Sequence, residues 1–125
     1  MLKTPYLLYL GNAEERRNAK IACGLQAWRP ELCLAEHKIT GCQISLGLQE
    51  MSPKQAAAQG AKTFILGLAN SGGYIEDCWL PAILEAIEAG MDVASGMHSR
   101  INDHPQIADA AQAKQVELFD ARSFN

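Results

Sequence analysis

The chain has no Cys-x-x-Cys pair, no run of basic residues and no apolar stretch approaching 18 residues. Each absence removes a class of function. Cys23, Cys33, Cys42 and Cys78 lie too far apart to spell a zinc or dithiol redox motif, so no metal site is expected. A net charge of −3 without a basic tract leaves nothing to follow a phosphate backbone, which excludes nucleic acid as an expected partner. No segment is long enough to span a bilayer. The N-terminus, MLKTPYLLYLGN, lacks the long apolar core and small-residue cleavage site of a signal peptide and reads as a first strand. A cytoplasmic protein with reduced, mostly buried thiols is the expectation. Internal repeats and low-complexity linkers are also missing.

What is present is an ordinary globular balance, 48% apolar and 20% charged over 125 residues, enough for one domain with a single core. Short β-rich runs alternate with longer helical ones. Tyr6 to Leu10 is too short for a helix and suits a central strand. Asn12 is placed to cap a helix running to Trp28, where Pro30 forbids continuation, and Leu32 to Ala35 forms a second strand. Gln43 to Leu46 alternates as a short strand would. Ser52-Pro53-Lys54-Gln55 carries a capping box with proline at the first helical position, and that helix ends at Gly60. Thr63 to Ala69, Asp92 to Ser95 and Val116 to Asp120 read as further strands. Helices over Cys78 to Ala89 and Asp103 to Lys114 separate them. Strands joined through helices predict right-handed crossovers and a mainly parallel five-stranded sheet. The fold class is α/β, a three-layer Rossmann-like domain, with strand order 2-1-3-4-5 and 3-2-1-4-5 as the alternative.

Such sheets bind ligands beyond the carboxyl ends of the strands, where strand order reverses. That rule selects Gly11-Asn12 after strand one, Asn70-Ser71-Gly72-Gly73 after strand three, and Gly96-Met97-His98-Ser99-Arg100 after strand four. Paired glycines let backbone N–H groups approach an anion, although the same pair also serves as plain turn punctuation. Ser71 lacks the flanks of a nucleophile elbow. His98 and Arg100 supply a group that titrates near neutrality and a fixed cation suited to carboxylate or phosphate. The alternative is Arg100 paired with Asp103 and a solvated His98. His37 reads as a loop residue, His104 as first-turn filler and Lys20 as a solvated lysine. A dinucleotide fingerprint is only partial. After Gly11 the turn offers Asn12-Ala13-Glu14-Glu15-Arg16, with two glutamates where pyrophosphate belongs, while Glu36 ends strand two where a ribose-binding acid belongs. NAD binding at that turn is disfavoured, and no P-loop motif occurs.

Three segments in order carry a resemblance: Ala19-Lys20 through Gly24-Leu25 with Trp28-Arg29-Pro30-Glu31; Gly67 through Gly73 with Trp79-Leu80-Pro81; and Ser95-Gly96-Met97-His98-Ser99-Arg100. Together they resemble the N-terminal Rossmann-like domain of the D-glutamate N-acetyltransferase family, formerly a family of unknown function whose members continue into a C-terminal P-loop-like domain. The resemblance spans essentially the whole chain. It implies acetyl transfer from acetyl-CoA to the amino group of a D-amino acid such as D-glutamate, with Lys20, Asn70, Gly72, Gly73, Gly96, His98 and Arg100 as the matched motif residues. It also implies that residues 1–125 form one domain of a longer protein, inactive when isolated. A looser similarity over residues 61 to 96, ending in Glu85-Ala86-Ile87-Glu88-Ala89-Gly90, is to CoA-binding domains of acyl-CoA synthetases. The expected site has His98 taking a proton from the amine and Arg100 holding a carboxylate. Gly11, Asn12, Lys20, Asn70, Ser71, Gly72, Gly73 and Gly96 bind ligand beside them. A non-catalytic module for CoA, NAD or ATP, a docking scaffold for the second domain, and a homo-oligomer are the alternatives.

Overall fold

The computed structural model describes residues 2–68, 75–95 and 104–120. The strands are β1 (Tyr6–Gly11), β2 (Cys33–Lys38), β3 (Thr63–Leu66), β4 (Asp92–Ser95) and β5 (Leu118–Asp120). The helices are α1 (Lys20–Trp28), α2 (Pro53–Ala58), α3 (Leu80–Glu88) and α4 (Pro105–Lys114). All four strand pairings are parallel, in the order β2-β1-β3-β4-β5. This is the expected Rossmann-like sheet, in the first of the two orders considered.

The reason β1 is central can be read in its composition. All six of its residues are buried, which only a strand covered on both faces and paired on both edges tolerates. Right-handed crossovers send α1 to one face, and α2, α3 and α4, which pack successively on one another, to the opposite face. Tyr9, Phe64 and Leu66 meet Ile83 and Ile87 of α3 in the resulting core, all fully buried. The α2 start follows its sequence signature. Ser52 Oγ accepts from Gln55 N at 3.2 Å, and Gln55 Oε1 accepts from Ser52 N at 2.9 Å. Among the described residues no helix is long and apolar enough to cross a membrane.

Several local expectations are corrected. Asn12 caps nothing. A 3-10 turn, Arg16–Ala19, intervenes before α1 begins at Lys20, and Glu15 N donates instead to Asn18 Oδ1 at 3.1 Å. Gln43 to Leu46 is not a strand, because its backbone amides turn toward side chains and toward the β1 exit rather than into a ladder. The β2 strand extends to Lys38, so His37 lies in a strand and not a loop, facing Tyr9 with ring centroids 5.8 Å apart. Trp79 starts no regular α-helical turn of its own; a 3-10 turn, Asp77–Trp79, leads into α3. Of the cysteines only Cys33 is buried, and Cys78 is exposed.

Candidate functional site at the strand-order switch

The order reverses between β1 and β3, so the site is built outward from the C-terminal end of β1. Gly11 has φ +54°, and a Cβ there would fall 2.9 Å from Leu68 Cδ1, 3.1 Å from Tyr9 Cε2 and 3.2 Å from Trp79 Nε1. Three side chains therefore converge on the space that the missing Cβ leaves open. Gly11 O also accepts from Ile39 N at 3.0 Å. Asn12 continues this closure. Its Oδ1 accepts from Trp79 Nε1 at 3.0 Å, and its Nδ2 donates to Glu76 Oε1 at 3.4 Å and lies 3.8 Å from Cys78 Sγ. The Cys78 thiol in turn lies 3.7 Å from Glu76 Oε1. Gly11 and Asn12 are thus joined to the segment entering α3 by a continuous polar cluster. The Trp79 indole, 1% exposed, is its apolar floor.

The neighbouring positions are occupied by the chain itself. Gly67 N donates to Tyr9 O at 3.1 Å, and Gly67 O accepts from Ala22 N at 3.3 Å, so one of the N-terminal amides of α1 is already spent on a protein carbonyl. A Cβ on Gly67 would lie 2.5 Å from Ala22 Cβ, which shows how closely helix and strand approach. Lys20, the first residue of α1, is exposed and makes no ion pair with any described residue.

Glu36, the acid placed where a ribose would bind, is fully buried. It accepts from Leu46 N at 2.8 Å, Leu48 N at 3.1 Å and Ser45 Oγ at 2.9 Å, and Lys38 Nζ stands 3.1 Å away. Burial pushes its carboxyl upward, but the hydrogen bonds from Leu46, Ser45, Lys38 and Leu48 outweigh burial and hold it below the ordinary value. Ser45 presents to Glu36 the hydroxyl that a ribose would otherwise present.

Tyr9 lies beneath this cluster. Its ring stacks obliquely on Phe64 at 5.1 Å, and its buried hydroxyl has no hydrogen-bond partner among the described residues. Burial first, then the nearby Cys78, Cys42 and Glu76, raise the phenol far above its usual range. Burial and the Glu76 carboxylate likewise raise the Cys78 thiol, which disfavours a thiolate. Tyr9, Glu76 and the pinning of Glu36 were not found by sequence reasoning. A tyrosine near the carboxyl end of an otherwise aliphatic strand was the one signal available for the first.

Asn70, Ser71, Gly72, Gly73, Gly96, His98 and Arg100 lie outside the described residues. The strands that lead toward them end side by side, Leu66 of β3 opposite Ser95 of β4.

The chain is 44% identical over 121 residues to a D-glutamate N-acetyltransferase of Pseudoalteromonas, covering 97% of this chain and 36% of that protein. It is 43% identical over 122 residues to a D-glutamate N-acetyltransferase of Tritonibacter scottomollicae, covering 98% and 37%. It therefore spans about a third of the length of the curated relatives it matches. Among solved structures, a DUF1611 family protein from Anabaena variabilis superposes with a TM-score of 0.73 at 19% identity, over 96% of this chain and 37% of that one. A homoserine dehydrogenase from S. aureus shares the fold with a TM-score of 0.57 at 11% identity, over 97% and 33%. The family model described as a Rossmann-like domain of unknown function, DUF1611_N, matches residues 34–124, and the chain belongs to that family.

Proposed function

We propose that this domain binds the amino-acid acceptor in a longer acetyl-CoA-dependent N-acetyltransferase acting on D-glutamate or a similar D-amino acid. The reading is carried by one juxtaposition. The strands leading into the 70–73 and 96–100 segments end beside each other, next to the β1 exit, in a chain whose relatives bear that enzyme's name. In this reading Arg100 holds a carboxylate of the acceptor and the glycine-rich segment Asn70 to Gly73 supplies backbone donors. His98 takes the proton that the amine loses as it attacks the thioester. Acetyl-CoA supplies the acyl group, and the remainder of the longer protein, a P-loop-like domain by the resemblance, supplies the opposing wall. The commitment of Glu36 to the protein's own loop speaks against an adenosine ribose at β2 and so against NAD in the usual mode.

Steady-state acetyl transfer to D-glutamate by the full-length protein tests this. Arg100→Ala is expected to raise KM for the amino acid, and His98→Ala to lower kcat with a changed pH profile. Unchanged kinetics in both variants would refute the assignment.

A further inference from the structure

We infer that the outer edge of β5, with the groove between β5 and α4, receives a strand from the part of the longer protein that lies outside residues 1–125. The inference goes beyond the proposed acyl transfer and does not depend on it. Its basis is a difference between the two edges of the sheet.

An edge strand presents a row of unpaired N–H and C=O groups, and an uncovered edge is a template for another strand. At the β2 edge the chain supplies its own cover. Glu36 N donates to Gln49 O and Glu36 O accepts from Met51 N, both at 3.0 Å, which makes a parallel bridge between Glu36 and Glu50. The next outward amide, Lys38 N, donates to Glu50 Oε2 at 3.2 Å. At the β5 edge the described residues provide no such cover. Val93 N donates to Glu117 O at 3.0 Å within the pairing of Val93 with Leu118. In a parallel ladder that bond turns Glu117 and Phe119 toward β4 and leaves the N–H and C=O of Leu118 pointing outward. Neither group has a partner among the described residues.

A groove opens beside this edge. Ala108, Ala111 and Gln112 of α4, Val116 of the connecting turn and Leu118 line a space of about 280 Å³. Val116, Leu118 and Phe119 pack on the core but are only partly buried. Outward backbone groups next to a groove with four apolar side chains suit an added strand, whose main chain pairs with Leu118 and whose side chain enters the groove. The size of the patch selects the occupant. A strand of three residues beside that groove falls short of the ~800 Å² per partner that free molecules bury in a stable complex. A segment of the same polypeptide needs far less, because a short tether holds it at an effective concentration in the millimolar range. The chain covers 36% and 37% of its two D-glutamate N-acetyltransferase relatives, so a longer protein of this kind has polypeptide to supply.

Amide hydrogen exchange and amide–amide contacts, read by NMR on the full-length protein, test this. Leu118 is expected to exchange within about tenfold of Phe119, whose amide faces β4, and to show a contact to a residue beyond 125. In Ala108→Trp, which fills the groove, Leu118 is expected to exchange on the order of 100-fold faster while Phe119 holds. Where that variant also frees Phe119 its fold has failed, and Gln112→Trp, on the exposed side of the groove, gives the reading in its place. Leu118 exchanging as an unpaired amide in the wild type overturns the inference, as does unchanged Leu118 protection in the folded variant. Contacts from Leu118 to residues 121–125 alone do the same. Protection that rises with protein concentration gives the edge to a second copy and overturns it as well.

Discussion

Replacing Glu36 tests the feature on which the reading against a ribose at β2 rests. The carboxylate gathers two backbone amides, one hydroxyl and one ammonium from the 38–48 stretch. Glu36→Ala leaves the Leu46 and Leu48 amides without an acceptor, and removing one partner from a buried charged network costs about 3–5 kcal/mol. Glu36→Gln preserves shape. Its amide oxygen still serves the two backbone N–H groups, but its NH2 meets Lys38 donor to donor, for an expected cost of about 1–3 kcal/mol. Urea unfolding of the wild type and both variants measures these differences. The pH dependence gives an independent check. The folded carboxyl lies below its ordinary 4.5, so its contribution is fully present above the unfolded value and is lost as pH falls through the folded one. The gap between wild type and Glu36→Gln should therefore be constant at neutral pH and close in acid. A cost below ~1 kcal/mol for Glu36→Ala, together with loss of NAD binding, would show that Glu36 serves a ribose after all and refute the reasoning.

Two smaller predictions concern backbone fit. Gly67→Ala forces a Cβ to 2.5 Å from Ala22 and should destabilise by about 1–3 kcal/mol, whereas Gly24→Ala meets nothing within 4 Å in mid-helix and should stabilise by about 0.5–1 kcal/mol; chemical denaturation of both variants gives the comparison. Ser52→Ala removes the α2 cap and should cost about 1 kcal/mol in the same assay, with Ser52→Asp largely restoring it.

How legible these features were depends on whether the signal is local. The Ser52-Pro53-Lys54-Gln55 start could be read because every partner in a capping box lies within four residues. The strand order was legible because all-buried strands alternating with helices admit few topologies, and β1 with its unbroken apolar run must be central. Asn12 was misread for the opposite reason. Asparagine after a strand has the chemistry of a cap, but its partners, Glu76 and Trp79, are 64 and 67 residues away. Glu36 shows the same limit more subtly. Its position at the end of β2 was legible and its partners were not, because Ser45 and Lys38 are unremarkable residues until the loop folds back. At Gly11 the sequence showed a glycine but not the Leu68, Tyr9 and Trp79 side chains that close on it, since two of the three come from distant parts of the chain.

The likeness to a homoserine dehydrogenase is one of fold alone. Three positions bear on the reading against NAD. In a dinucleotide-binding sheet the first turn admits pyrophosphate, the following helix presents free amides, and the acid on β2 takes the ribose. Here the first turn carries exposed Glu14 and Glu15, the latter paired with Arg17 at 2.8 Å. The Ala22 amide of α1 is given to Gly67 O, and Glu36 is given to Ser45 and two loop amides. The last two suit the fold, since each satisfies polar groups that would otherwise be orphaned. Together they commit polar groups at the β2 and β3 exits to the chain itself. Toward β3 the edge differs, because there the buried Tyr9 hydroxyl is left unsatisfied by the described residues.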